Sequence, residues 1–400
     1  MTEKKESGAP EVWRVARENL GEPADRAFLA LSVDTGPLAS LVPAPPGDPD
    51  SFARRLEALR ERPGLSESLA VTLTEFNRNL GAEDLALSNL GRLARGEAAA
   101  VIAFSPPFPS GGPASILFKA ATASALCRAL SSKGVGAFVP VFIVDAGPPG
   151  TSAPPSALRA PEEEEGIGNR VDGLLEEAAS LPPEAAFGRL LHGLLPGLGL
   201  VLAALRFFRP EGLSLFEQEL LDPEGIASLL RRAGEALARE GVAVPFDASP
   251  ATNLCFEEAV GRPRPVTFEQ DRFLLDGREV EPFDLLSGLD RLSPAPSLQP
   301  LLACMALPVA TVVADPEEAA SCLQRGPLYA YFGLTRPVVF PRLTATLVED
   351  RAGAPQPTAG LRETSDPWVH LISRHGPLLS ERLLASADVF DFRHHVFRLA

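Results

Sequence analysis

Residues 99–150 read AAVIAFSPPFPSGGPASILFKAATASALCRALSSKGVGAFVPVFIVDAGPPG, and this stretch decides the fold class. Residues 101–104 form a short apolar run closed by a Pro, Gly and Ser cluster. Residues 114–130 contain neither Gly nor Pro and have helix-forming composition. Residues 139–144 are a second apolar run, rich in β-branched side chains. Strand, helix and strand in that order predict a βαβ unit with parallel strands. Such units take ligands in the loops at the carboxyl ends of their strands. Those loops are 105–113 and 145–150, and Asp145 is their one acidic residue.

Working outward, residues 1–95 read as a helical N-terminal region. Apolar residues recur at three- and four-residue spacing over 51–60, 66–80 and 83–93. Asp50 or Ser51 is placed to cap the first of these helices, and Gly81 to end the second. Residues 96–348 read as the α/β core, with a helical insertion around 166–195 and a buried strand at 200–205. Asp276-Gly277 marks a hairpin turn between short antiparallel strands. A second α/β portion predicts a strand at 309–313, one helix over 316–332, and strands at 338–340 and 344–348. Residues 349–366 read as a polar linker and 367–385 as a final helix leading into a tail, 386–400, that packs on the core.

The chain has 400 residues and a net charge of −15. An acidic surface repels phosphate backbones and anionic membranes, which argues against nucleic-acid and membrane partners. The polar N-terminus has no apolar signal core, so a cytoplasmic location is expected. The apolar stretch 190–208 is interrupted by His192, Pro196 and glycines, and reads as a helix end plus a strand. Cys127, Cys255, Cys304 and Cys322 form no CxxC pair and read as buried free thiols.

Titratable groups placed for chemistry are few. His394 and His395 are adjacent and so point in different directions, which suits a structural role better than a metal site; no metal is expected. Gly197-Leu198-Gly199 lacks the rest of a dinucleotide fingerprint. Lys119 stands out, because only four of the 37 basic residues are lysines. From a helix that follows the Gly111-Gly112-Pro113 loop, it could reach a phosphate or carboxylate. The plainer reading is an exposed helix lysine. Arg342, after a buried strand, could face the same crevice; its plainer reading is a surface ion pair.

Taken together these segments resemble the bacillithiol biosynthesis cysteine-adding enzymes, also called putative cysteine ligases. The resemblance runs through PGDPDSFARRLEAL, LTEFNRNLGAEDLALSNLGRL, GGPASILFKA, VPVFIV and GLVLAALRFFRPEG. It continues through ATNLCFEE, LSPAPSLQPLL, YFGLTRPVVFPRLTATLVE and FDFRHHVFRL. It implies a Rossmann-like core and the joining of cysteine to glucosaminyl-malate, the last step in making that thiol. On this basis Gly111, Gly112, Pro113, Lys119, Asp145 and Arg342 are the expected ligand-binding residues. No cofactor is specified by these residues, and an adenine nucleotide is the one candidate.

The departures from the family pattern fall in loops. Phe104-Ser105-Pro106 stands where the family has Gly-Gln-Gln, and Phe108-Pro109-Ser110 where it has Gly-Leu-Phe. Gly147-Pro148-Pro149-Gly150 replaces an acidic, His-containing run. Gln299 to Cys304 replaces Arg-Pro-Leu-Val-Gln-Asp, and Ala314-Asp315-Pro316-Glu317-Glu318 replaces Gly-Gly-Pro-Gly-Glu. The family's coiled coil has no counterpart, since the linker carries no heptads. Acid–base or nucleophilic catalysis needs a titratable group at the reacting atoms, and Gly and Pro supply none. Two expectations follow: a divergent ligase with a degenerate site, or a non-catalytic paralogue. The second, which the site residues favour, would bind a small-molecule ligand of the thiol pathway or a full-length copy of the enzyme.

Overall fold

The computed structural model describes residues 11–15, 26–32, 38, 41–42, 44–108, 112–145, 167–246, 251–257, 263–349, 368–376, 379–385 and 388–399. Gly111, the loop 146–150 and the linker from 350 onward lie outside them.

Strand β1 (Glu11–Val15) opens the described chain, so its N-terminal part is not helical throughout. Helices α1 (Arg26–Ser32), α2 (Pro49–Ala58), α3 (Glu67–Asn79) and α4 (Asp84–Ala94) follow. The cap of α2 is Asp48 rather than Asp50 or Ser51, and its side chain accepts from the Asp50 N–H. Pro49 sets this start, because a proline at the first helical position loses no hydrogen bond. Ser66 caps α3 through the Leu69 N–H.

Strand β2 (Ala99–Ser105), α5 (Ser115–Ser132) and β3 (Phe138–Val144) form the expected βαβ unit. Helices α6 (Ile167–Ala179) and α7 (Pro183–Leu194) lead to β4 (Val201–Ala204). A 3-10 turn (Leu205–Gly212) then runs into α8 (Leu213–Leu221) and α9 (Pro223–Arg239). A small antiparallel sheet comes next: β5 (Ala251–Phe256), β6 (Arg264–Glu269), β7 (Arg272–Leu275), β8 (Arg278–Val280) and, after α10 (Pro282–Ser287), β9 (Leu292–Pro294). Asp276 and Gly277 take φ of 51° and 74°, the left-handed pair that a two-residue hairpin turn requires.

Helix α11 (Gln299–Ala306) returns the chain to the core at β10 (Val309–Ala314). The single helix expected over 316–332 is two helices, α12 (Pro316–Gln324) and α13 (Gly326–Tyr331). Pro327 explains the break: it has no N–H and its ring clashes with the carbonyl four residues back. Strand β11 (Val338–Pro341) follows. The final helix is likewise divided, into α14 (Trp368–His375) and α15 (Leu379–Ala385), with Gly376 at φ 88° between them.

Strands β2, β3, β4, β10 and β11 make one parallel sheet in the order β11-β10-β2-β3-β4. The chain thus moves outward from β2 on one side, then returns to build the other side. This is the doubly wound, Rossmann-like order, with its reversal between β2 and β10. Residues of β3 and β10 are buried throughout, because helices cover both faces. Alternation along β2 sends Ala100 and Ile102 into one apolar core and Val101 and Ala103 into the other. Large rings such as Phe118, Phe142 and Phe187 fill the second core, each burial contributing about 1.5–3 kcal/mol.

Strand β12 (Ala345–Glu349) does not join the central sheet. It pairs in parallel with β13 (His394–Leu399), which pairs antiparallel with β1. The outer edge of the central sheet is sealed by a side chain. Asn77 of α3 donates to the Leu202 carbonyl and accepts from the Leu202 N–H, at 2.8 and 2.9 Å, occupying both backbone groups of that residue in edge strand β4. Among the described residues, no helix is long and apolar enough to cross a membrane.

Candidate functional site

In a doubly wound sheet the ligand crevice opens where strand order reverses, outside the carboxyl ends of the strands. Here that place is filled by four charged side chains. Asp315 follows β10 directly and caps α12, with Pro316 at its first position. Glu318, three residues on, accepts from the Asp315 N–H at 2.9 Å, the capping-box arrangement. Lys119 comes from the second turn of α5, across the sheet. Its Nζ lies 2.6 Å from Asp315 Oδ2 and 2.7 Å from Glu318 Oε1, and donates to the Phe104 carbonyl at 2.9 Å. An ammonium has three hydrogens, and these three acceptors take them all. Arg342, just after β11, places Nε on the other oxygen of Asp315. Its Nη1 donates to the Leu343 carbonyl at 2.8 Å.

The sequence therefore points to two cations that the fold brings to one carboxylate. Both plainer readings fail. Lys119 is not an exposed helix lysine: its side chain is 4% exposed, turned onto the Phe104 carbonyl and the two acids. Arg342 is in a buried ion pair, not a surface one, at 3%. The acids lie further out, Asp315 at 18% and Glu318 at 38%. Burial alone would push the Lys119 ammonium down; Glu318 and Asp315 outweigh it and hold its pKa above that of a free lysine. Burial alone would push the Asp315 carboxyl up; Arg342 and Lys119 outweigh it and hold it below the usual range. Lys119 and Asp315 are therefore both charged at neutral pH.

Comparison with known proteins bears on what this geometry belongs to. No family model matches the chain. The putative cysteine ligase BshC of Salinibacter ruber is 29% identical over 76% of this chain and 65% of its own length. The protein of the same name from Koribacter versatilis is 26% identical over 75% of this chain and 64% of its own length. That of Thermus thermophilus is 32% identical over 35% of this chain. The chain is a divergent relative of these BshC proteins. It spans just under two thirds of the length of the first two relatives.

The other expected site residues that are described, Gly112, Pro113 and Asp145, make their contacts with other elements. Gly112 takes φ 66°, and a Cβ there would meet Phe108 and Ile116 at 2.6–2.7 Å. Its carbonyl accepts from the Trp368 N–H at 3.2 Å, so the loop around Gly112 and Pro113 is tied to the start of α14. Asp145 ends β3, on the other side of β2. It accepts from Gln299 Nε2 at 2.5 Å, at the first residue of α11.

The thiols are not activated. Burial pushes Cys304 up to about 11 and raises Cys127 and Cys322 as well. Cys255 is half-buried, and burial together with Glu257 and Asp145 raises it too. None is a thiolate at neutral pH, the form a nucleophile needs. Gly197 and Gly199 donate their N–H groups to Glu83, which makes them a structural turn and not a phosphate loop. His394 is buried between the hydroxyls of Thr344 and Thr346. Among the described residues there is no group of three or more His, Cys, Asp or Glu placed to hold a metal.

Asp315 and Glu318 are the members of the cluster that the sequence reading did not single out as site residues. The signal was present, since Asp-Pro-Glu-Glu is a capping-box sequence and marks a helix start after a strand. What it lacked was any indication of Lys119, which sits 199 residues from Glu318 in the chain.

Proposed function

We propose that this chain is a BshC-family protein that keeps the family's fold and works by binding, without ligating cysteine at the strand-order reversal. The observation that carries the reading is the saturation of Lys119. Its three N–H bonds are spent on Phe104, Asp315 and Glu318, so a substrate anion finds no donor on it. Arg342, the second cation at the crevice, is paired to the same Asp315. The thiols lack a base, residues 104–106 bring no acid or base, and the carboxylate at 315 is committed to Lys119 and Arg342. The resemblance to the cysteine-adding enzymes supports the ligand class: glucosaminyl-malate or a related precursor of the thiol.

The test is an assay of the purified chain with cysteine and glucosaminyl-malate, with and without ATP, read by mass spectrometry. The expected result is no cysteine-dependent product, together with binding of glucosaminyl-malate by calorimetry. Catalytic turnover by the wild-type chain overturns the reading and restores the ligase assignment.

A further inference from the structure

We propose that the Asp315 carboxylate occupies, from within the chain, the position where an external carboxylate or phosphate would pair with Lys119 and Arg342. The crevice at the strand-order reversal is then an oxyanion site that the protein fills itself.

The arrangement of the four groups carries this inference. Two cations from distant parts of the chain converge on one point, and both are buried at 3–4% exposure. Burying two cations side by side costs several kcal/mol unless an anion accompanies them. Each oxygen of Asp315 takes one of them: Oδ2 faces Lys119 Nζ, and Oδ1 faces Arg342 Nε. A free carboxylate or phosphate oxygen pair makes the same two contacts. Asp315 enters from the solvent side, at the amino end of the nine-residue helix α12. Cations beneath and acid above is the order of a ligand on its site. An ion pair formed only for packing would have no reason to place the anion outermost. The inference rests on reading the strand-order reversal as the ligand crevice of the fold, as the proposed function does.

The experiment uses the full chain as wild type, Asp315→Asn and Asp315→Asn with Lys119→Met. Asparagine is a good helix cap and keeps the start of α12, while removing the charge. Calorimetry with inorganic phosphate and, separately, malate reads anion binding. Asp315→Asn is expected to bind at least one of the two tenfold or more tighter than wild type, and the double variant is expected to lose that gain. The arm that responds assigns the ligand as phosphate or carboxylate. Folded Asp315→Asn that binds both anions no better than wild type overturns the proposal. So does a gain that survives Lys119→Met, because the anion is then elsewhere. Should Asp315→Asn fail to fold, Glu318→Gln on the exposed side of the cluster replaces it. A threefold tightening is expected there, and no change overturns the proposal. Ligation by the wild type rejects the non-catalytic reading without touching this result. Absence of ligation, with no gain in the variants, rejects this inference alone.

Discussion

A half-buried acid and a fully buried one behave in opposite ways in this molecule. Asp315 sits between Lys119 and Arg342 and is held below the ordinary carboxyl range. Glu219 of α8 is fully buried in the seam against β5, where its hydrogen-bond partner is the neutral Asn253 and the nearby charge, Asp222, is of like sign. Its Oε1 accepts from the Asn253 N–H and Nδ2 at 2.7 and 2.9 Å, and Asn253 in turn accepts from the Ser297 hydroxyl. Glu219 Oε2 has no hydrogen-bond partner among the described residues. Burial pushes this carboxyl up to about 7, against the pull of Asn253. The difference shows that hydrogen bonds from an amide do not offset the removal of a charge from water, whereas two cations do. One seam is ionic at neutral pH. The other holds an acid poised to take up a proton.

The largest way to break this comparison is to remove a cation. Lys119→Met should destabilise the protein by about 3 kcal/mol in urea unfolding, since it removes one of the two cations that hold Asp315 and the ion-pair partner of Glu318. A loss under about 1 kcal/mol would show that solvent, and not Lys119, compensates the two carboxylates. The pH dependence separates the two acids by sign. Because Asp315 is depressed, its contribution is present above the ordinary carboxyl pKa and is lost as pH falls through its folded value. Glu219 is raised from 4.5 to about 7, so the folded state holds a proton there that the unfolded chain has released. Its contribution is present below about 4.5 and is lost as pH rises toward about 7. Glu219→Gln should therefore gain on the order of 2 kcal/mol over wild type at pH 8, with little gain at pH 5. Parallel chemical denaturation curves at the two pH values check it, and equal effects at both would show that Glu219 does not titrate in this range.

Smaller changes sharpen the contrast. Ser297→Ala removes one hydrogen bond to Asn253 and should cost about 1 kcal/mol, visible as a lowered urea midpoint with unchanged slope. Glu318→Gln acts on the exposed margin of the ionic seam and should cost less than about 1 kcal/mol in the same measurement. A larger loss would mean that Glu318, rather than Asp315, is the principal counter-ion of Lys119.

Much of the fold was legible because local pattern and tertiary role agree there. The apolar runs of β2, β3 and β10 are strands buried on both faces, and the helix between β2 and β3 begins just after Pro113. The Asp276-Gly277 hairpin was legible because turn backbone is a local property. The breaks at Gly326-Pro327 and Gly376 were also written in the chain, as residues that interrupt a helix, but the apolar periodicity around them masks the signal. Strands β1 and β13 were not legible. Each is short, and the partners that make them strands, β13 for β1 and both β1 and β12 for β13, lie far away in the chain.

The sequence by itself determined the βαβ unit, the α/β class, and a lysine and an arginine as candidates for the crevice, because spacing and backbone preference act over a few residues. Only the tertiary structure decided that Lys119 is buried, that Arg342 meets the same acid, and that this acid is Asp315. An ion pair inside a protein is set by the superposition of strand ends and covering helices, and no local pattern records which distant residue will arrive there.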